Sequence, residues 1–126
     1  FKYFMNYHVP KIIDYSTLIK QNVIVTSSVI IDSKIKNKIQ FIEDGYDDYN
    51  CWLSLLKKGY KALFLNKYLT VYKIRNKSVS SNKFKSFLWV WKILRKYQNL
   101  NLFVSILKII IIIINTFKKK MSLQKL

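Results

Sequence analysis

The sequence has 126 residues, 51% of them hydrophobic and only three of them Gly or Pro, a composition that excludes a disordered basic tail. Its formal net charge of +17 favours an anionic partner, such as nucleic acid, an anionic membrane leaflet or a phosphorylated substrate. One cysteine, Cys51, excludes an intramolecular disulfide and a Cys-based zinc site, and it favours a reducing compartment. The length allows one domain with a modest core, or part of a larger one.

The charges are divided unevenly along the chain. All six carboxylates lie in the first 48 residues, where six Lys balance them, and the remaining 78 residues hold 17 Lys and Arg. The last two acids, Asp47 and Asp48, stand where a helix is predicted to begin. Two acids at a helix start beside a cationic remainder indicate chemistry on or near an anionic substrate or surface.

The first forty residues carry few motifs. The chain opens on Phe1 without an initiator Met, so we expect a fragment of a longer protein. No secretory signal pattern is visible at the start of the sequence. The only histidine, His8, falls in a predicted extended loop. Residues 15–20 predict a short helical turn, and the β-branched run 23–31 predicts a buried strand. The Thr26-Ser27-Ser28 trio in that run is either structural or faces a ligand.

A loop at residues 41–46 precedes the clearest helix. Apolar side chains recur from Tyr49 at three- and four-residue steps, and Gly59 follows a basic last turn as a C-cap residue does. Cys51 is expected to be a buried structural thiol. Asp47 and Asp48 have two interpretations, since acids are favoured as caps at helix N-termini, but they could also act in chemistry. Composition alone favours capping.

Two strands, a polar loop and two helices are predicted to follow. The strands are 62–65 and 69–72, the loop is 75–82, and the helices are 83–97 and 100–117. In the last helix a narrow polar stripe interrupts the apolar residues, and a cluster of three Lys closes it. The stripe is formed by Asn101, Ser105, Lys108 and Asn115.

We expect the two C-terminal helices to lie in the interface of a membrane, with basic clusters on anionic headgroups. Three alternatives stay open for the last segment. Residues 109–114 could form a core strand, the segment could dock on a missing part of the protein, or it could span the bilayer. Lys108 opposes a span, because a cation near the bilayer centre is costly.

Taken in order, these features resemble the second half of a bacterial family-2 glycosyltransferase of the GT-A fold. The likeness covers about residues 3–100. The residues that match the family motifs are Phe41, Asp47-Asp48-Tyr49, Trp52-Leu53-x-Leu55, Gly59, Tyr72-Lys73 and Ser78-Val79-Ser80.

While the charge and apolar faces of residues 83–126 predict a basic, amphipathic, membrane-associated helical tail, the resemblance implies an α/β fold in which residues 1–82 form the acceptor-side half of a partial, Rossmann-like GT-A domain. It implies an inverting transfer, of hexosyltransferase type, from a nucleotide-sugar donor to a saccharide or lipid-linked acceptor in bacterial surface polysaccharide synthesis. Asp48 takes the position of the catalytic base, and Asp47 stands where the family usually has Glu. Substrate or diphosphate contacts are expected from Trp52, Lys73, Arg75, Ser78 and Ser80.

The resemblance also implies a divalent metal, Mn or Mg, in the full-length enzyme. The family's Asp-x-Asp metal motif does not occur in this sequence. We therefore assign no metal ligand here, and we expect the isolated chain to be inactive. Two departures stand out, because Lys73 replaces the usual Arg, and Arg75 lies where relatives often carry a metal-binding His.

The expected location is cytoplasmic, peripheral on the inner face of the membrane, and nucleic acid is not an expected partner. Two other classes remain as alternatives. One is a basic nucleic-acid-binding module that uses Trp89, Trp91 and Tyr97, although such alternation with aliphatic residues on a helix is more typical of a core or membrane face. The other is a small membrane-associated structural protein.

Overall fold

The computed structural model of the chain describes residues 9–67 and 82–123. These residues form a mixed α/β structure that is mostly helical. The elements in chain order are β1 (Ile12–Ile13), α1 (Tyr15–Leu18), α2 (Asp47–Lys57), β2 (Ala62–Leu63), α3 (Lys83–Lys92) and α4 (Leu102–Leu123). Two 3-10 turns, Thr26–Ser28 and Ser33–Lys38, lie between α1 and α2, and a π-helical segment, Ile93–Tyr97, extends α3. The predicted strand at 69–72 lies outside the described residues.

The two strands pair antiparallel, with Ile12 opposite Leu63 and Ile13 opposite Ala62. The predicted strand at 62–65 is therefore confirmed over its first two residues. Its partner β1 carries no sequence signal of its own, because two residues are too few to show an alternating pattern. Ile13 is buried and Leu63 is exposed, so one face of this short sheet covers the core.

Helix α2 is the centre of the core. Seven of its eleven residues are buried, and Leu53 is fully enclosed. The Tyr49 hydroxyl donates a hydrogen bond to the Leu18 carbonyl (3.2 Å), which ties α2 to α1, and burial raises the pKa of Tyr49. The helix ends as predicted at Gly59, whose φ of +94° places it in the left-handed region. Cys51 is buried and burial raises the pKa of its thiol, which confirms the structural interpretation.

The strand predicted over residues 23–31 is wrong. The chain instead makes an exposed 3-10 turn at Thr26–Ser28. The Val25 carbonyl accepts from both the Ser28 backbone N–H (2.8 Å) and the Ser28 hydroxyl (2.7 Å). Short hydroxyl side chains give the backbone local partners that compete with a sheet ladder, and this competition outweighs the β propensity of the neighbouring residues.

Asn82 is the N-cap residue of helix α3, and its side chain accepts from the Lys85 N–H (3.1 Å). The helix predicted over 83–97 is confirmed, and its last turn is π-helical. Ile93 and Leu94 in that turn are buried in the same core as α2. The Gln98 side chain then donates to the Asn50 side chain (3.3 Å), so the end of this helix is fixed to the middle of α2.

Helix α4 runs from Leu102 to Leu123, beyond the predicted end at residue 117. The core strand considered for residues 109–114 is therefore wrong. Two residues of the predicted polar stripe face the rest of the protein, since Ser105 is fully buried and the Asn115 side chain donates to the Lys20 carbonyl (3.1 Å), whereas Asn101 is exposed. Apolar Ile109 is buried on the same side. The outward face is apolar, and its exposed residues are Leu102, Phe103, Ile106, Leu107, Ile110, Ile113, Ile114, Phe117 and Met121. Within the described ranges, no helix has the length and apolarity that crossing a membrane requires.

Candidate functional site

An open cleft of about 580 Å³ lies at the start of α2. Three separate parts of the sequence build it: the turn at 26–28, the segment from Phe41 into the first turn of α2, and α3. The lining residues are Thr26, Phe41, Glu43, Gly45, Tyr46, Asp47, Asp48 and Trp89. Both acids singled out from the sequence thus line one cleft, together with aromatic side chains.

Asp48 is held through both carboxylate oxygens. Its Oδ2 accepts from the Thr26 hydroxyl (2.7 Å), and its Oδ1 accepts from the Tyr49 backbone N–H (2.7 Å). The Trp52 indole Nε1 lies 3.4 Å from the same Thr26 oxygen and donates to it. A carboxylate has about four acceptor positions. Asp48 can therefore accept a further proton or hydrogen bond from a group in the cleft while its orientation stays fixed.

Asp47 has a different part in the same loop. Its Oδ1 accepts from the Asp44 backbone N–H (3.1 Å), a contact that closes the turn before the helix. Tyr46 is the N-cap residue and makes no capping bond with its side chain. The capping interpretation therefore holds in part, since the Asp48 carboxylate accepts one first-turn N–H, while Asp47 shapes the loop.

Helix α3 packs directly on this loop. Gly45 has a φ of +96°, and a Cβ at this position would lie 2.4 Å from the Trp89 ring. The rings of Tyr46 and Trp89 meet edge to face at 5.1 Å, and the Tyr46 hydroxyl donates to the Ser86 hydroxyl (2.8 Å). Only glycine fits between the loop backbone and the indole, so the contact with α3 sets the shape of the loop.

Charge fastens the same two segments together. The Asp44 carboxylate is ion-paired with Lys92, accepts from the Tyr97 hydroxyl (2.5 Å) and lies 3.6 Å from the Lys96 ammonium. The hydrogen bond from Lys92, followed by that from Tyr97, lowers the pKa of Asp44 to about 2. Asp44 is therefore ionised at neutral pH and ties the loop to the end of α3.

The remaining predicted site residues fall into two groups. Trp52 is only 5% exposed, meets Phe41 edge to face at 5.8 Å and is not among the residues that line the cleft. Its indole N–H instead contacts Thr26, which does line it. The others, Lys73, Arg75, Ser78 and Ser80, lie outside the described residues, as does His8.

Sequence reasoning missed Trp89, Tyr46 and Glu43 as cleft residues. Trp89 alternates with aliphatic residues on a helix, a pattern that indicates packing and gives no sign of which loop it packs on. Thr26 had a weak signal, as one of three hydroxyl residues in an otherwise apolar run.

In residues 9–67 and 82–123, no group of three or more His, Cys, Asp or Glu side chains is placed to hold a metal ion.

Comparison with known proteins finds bacterial glycosyltransferases. The chain is 35% identical over 95 residues, 75% of its length, to TuaG of Bacillus subtilis, which carries the name of a teichuronic acid biosynthesis glycosyltransferase. It is 38% identical over 79 residues, 63% of its length, to the UDP-Glc:α-D-GlcNAc-diphosphoundecaprenol β-1,3-glucosyltransferase WfaP of Escherichia coli. It is 32% identical over 110 residues, 86% of its length, to an uncharacterized glycosyltransferase of Haemophilus influenzae.

The matched segments make up 38%, 32% and 44% of these three relatives, so the chain spans less than half of their length. No family model and no solved structure matches the chain. The resemblance to a glycosyltransferase is confirmed, and the chain corresponds to part of such a protein.

Proposed function

We propose that this chain is the acceptor-side part of an inverting family-2 glycosyltransferase of the GT-A fold, and that Asp48 is its general base. The observation that carries the proposal is the placement of Asp48. Its carboxylate lines an open cleft and is fixed through both oxygens by Thr26 and Tyr49. Fixed carboxylates facing an accessible cleft are suited to take a proton from a bound hydroxyl group.

In the proposed reaction, the acceptor hydroxyl loses its proton to Asp48 as its oxygen attacks the anomeric carbon of the donor. The new C–O bond forms as the bond to the nucleotide diphosphate breaks, and the nucleotide diphosphate leaves from the opposite face with the bonding electron pair. Attack opposite the leaving group inverts the anomeric configuration. Asp47 contributes by closing the loop that positions the first turn of α2.

The names of the relatives support the classes of substrate. The name of WfaP specifies UDP-glucose as donor and a diphosphoundecaprenol-linked sugar as acceptor. We propose a nucleotide-sugar donor and a saccharide or lipid-linked acceptor for the enzyme to which this chain contributes, with a hexose as the transferred sugar in surface polysaccharide synthesis. We further propose that its divalent metal, Mn or Mg, is bound by residues outside this chain.

The decisive test is Asp48→Asn in the full-length enzyme that carries this sequence. The amide keeps the shape and the capping ability of the side chain but cannot accept the proton, so we expect kcat to fall about 100-fold to 10,000-fold. Donor binding and the unfolding temperature should stay close to wild type. Asp32→Asn is the matched control, because Asp32 is exposed and caps a turn away from the cleft. Near-normal turnover by folded Asp48→Asn enzyme would leave Asp48 with a structural role alone.

We also propose that α3 and α4 hold the enzyme on the inner, cytoplasmic face of an anionic membrane. The support is the orientation of α4, in which Ser105 and Asn115 of the polar stripe face the rest of the protein while a row of large apolar residues is exposed. Exposed apolar rows of this size are typical of interaction surfaces. Each nearby Lys or Arg adds about 1 kcal/mol of attraction to an anionic leaflet.

Flotation of the 126-residue chain with vesicles tests this location. We expect binding to vesicles that contain phosphatidylglycerol, weaker binding to phosphatidylcholine vesicles, and loss of binding at high salt. Replacing outward Ile106 and Ile110 by Ser should weaken binding, whereas exposed Ile30, outside α3 and α4, is the matched control site. Equal binding to both kinds of vesicle would contradict the electrostatic part of the proposal. If the Ile106→Ser/Ile110→Ser variant binds vesicles as strongly as the wild type, the outward face of α4 does not contact the membrane.

A further inference from the structure

We infer that Thr26 is a positioning residue for the general base, acting through its hydrogen bond to Asp48. The inference rests on the proposed function. Thr26 lies 22 residues before Asp48 in the sequence, in a turn that the β-branched pattern predicts as strand. The turn places its side chain in the lining of the cleft.

The hydrogen bonds around Thr26 run in one direction. The Trp52 indole can only donate, so its contact with Thr26 Oγ1 (3.4 Å) occupies an acceptor position of the hydroxyl. The hydroxyl hydrogen is then available for Asp48 Oδ2 at 2.7 Å. Trp52 is buried in the core, so this chain of three groups connects the rigid interior of α2 to the carboxylate in the cleft.

This arrangement matters because a carboxylate can rotate about its terminal bond. The backbone N–H of Tyr49 holds Oδ1, and Thr26 is the side chain that holds Oδ2. Two bonds to different oxygens fix the plane of the carboxylate, whereas one bond leaves it free to turn. Correct orientation of a catalytic group makes a large contribution to rate, and small misplacements are costly.

The neighbouring serine gives a matched control in the same turn. Ser28 also carries a hydroxyl, but it donates to the Val25 carbonyl (2.7 Å) and so stabilises the turn locally. Ser28 is not among the residues that line the cleft. A purely structural role for the turn predicts similar effects for changes at both positions, whereas positioning of Asp48 predicts an effect at Thr26 alone.

The test compares Thr26→Val, Thr26→Ser and Ser28→Ala by steady-state kinetics in the full-length enzyme. Thr26→Val keeps the shape and removes the hydroxyl. We expect its kcat to fall about tenfold to 100-fold, the effect of losing one hydrogen bond to a charged group, with the donor KM unchanged within about twofold. Thr26→Ser should restore most of the rate, and Ser28→Ala should turn over like wild type.

A double variant shows whether Thr26 acts through Asp48. In the Asp48→Asn background, adding Thr26→Val should not lower the residual rate further, because the two residues act as one unit. Wild-type turnover by Thr26→Val, with Asp48→Asn inactive, would overturn the inference and leave the proposed function standing. Wild-type turnover by Asp48→Asn would overturn both. Additive losses, or failure of Thr26→Ser to restore the rate, would assign Thr26 a separate role.

The 126-residue chain provides a readout that does not depend on activity. Thr26→Val removes the acceptor of the Trp52 indole N–H, so the NMR resonance of that proton should shift, while those of Trp89 and Trp91 should stay in place. Ser28→Ala should leave all three unchanged. An unshifted Trp52 resonance in Thr26→Val would show that the hydrogen-bond chain is absent.

Discussion

Helices α2 and α4 are both amphipathic, but they use their apolar faces in opposite ways. In α2 the apolar face is buried in the core and the acids at its start face the cleft. In α4 the polar residues Ser105 and Asn115 face the rest of the protein, and most large apolar side chains are exposed. Periodicity therefore shows that a helix has two faces, but it does not show which face the rest of the chain covers.

Two leucines allow this difference to be measured directly. Leu53 in α2 is fully buried, whereas Leu107 in α4 is 44% exposed. Leu53→Ala should lower the free energy of unfolding by about 2 to 5 kcal/mol, because it removes packed atoms and leaves a cavity. Leu107→Ala should change it by less than about 0.5 kcal/mol. Urea denaturation of the 126-residue chain measures both, and equal losses would show that the outward face of α4 is packed against protein.

The two glycines sharpen the comparison between the loop and the end of α2. Both have positive φ, but a Cβ at Gly45 would overlap the Trp89 ring, while a Cβ at Gly59 would meet nothing within 4 Å. Gly59→Ala should lower the free energy of unfolding by about 1 to 2 kcal/mol, which is the cost of backbone strain alone. Gly45→Ala should lower the free energy of unfolding by about 1 to 3 kcal/mol more than Gly59→Ala, because the Trp89 indole must move. Thermal unfolding gives the difference, and equal costs for the two variants would mean that Trp89 does not pack on the loop.

The smallest expected effect concerns Asp44 and its dependence on pH. Its pKa is lowered from the ordinary 3.8 to about 2 in the folded chain, so its contribution to stability is present above about pH 4 and is lost as the pH falls toward 2. The stability difference between wild type and Asp44→Asn should shrink over that interval. Added salt should reduce it as well, because its main partner, Lys92, is charged.

Asp14 is the matched control for this prediction. Its pKa is also lowered to about 2, mainly by the Thr17 backbone N–H and side chain, which are neutral. The contribution of Asp14 should therefore disappear over the same pH interval and respond little to salt. A contribution of Asp44 that is equally insensitive to salt would contradict the ion pair with Lys92.

Local signals explain what could be predicted from the sequence. The start of α2, its buried face and its end at Gly59 depend on spacing and end residues within a dozen positions, and all three are confirmed. The placement of Asp47 and Asp48 at an accessible helix start followed from the same signals. The strand over 23–31 failed for a local reason too, because the hydroxyl of Ser28 finds a partner three residues away.

Contacts between distant residues explain what could not be predicted. Nothing in the sequence pairs Gly45 with Trp89, since packing of an indole on a glycine depends on shape and leaves no pattern of charge or spacing. Asp44 could have been matched with many cations, and only the fold selects Lys92 and Lys96. The orientation of α4 likewise depends on partners such as the Lys20 carbonyl, which is 95 positions from Asn115.

The distance along the chain between Asp44 and Tyr97 also orders events during synthesis. Tyr97 is translated 53 residues after the carboxylate that it binds, an interval of about 3 to 10 s at bacterial elongation rates of about 5 to 20 residues per second. Helices α1 and α2 leave the ribosome in that time and can pack through Tyr49 and Leu18. The loop that contains Asp44 can take its final position only after α3 and the residues up to Tyr97 have been synthesised. A nascent chain that ends before residue 83 would therefore lack the Trp89 side of the cleft and also the part of the core that Ile93 and Leu94 supply.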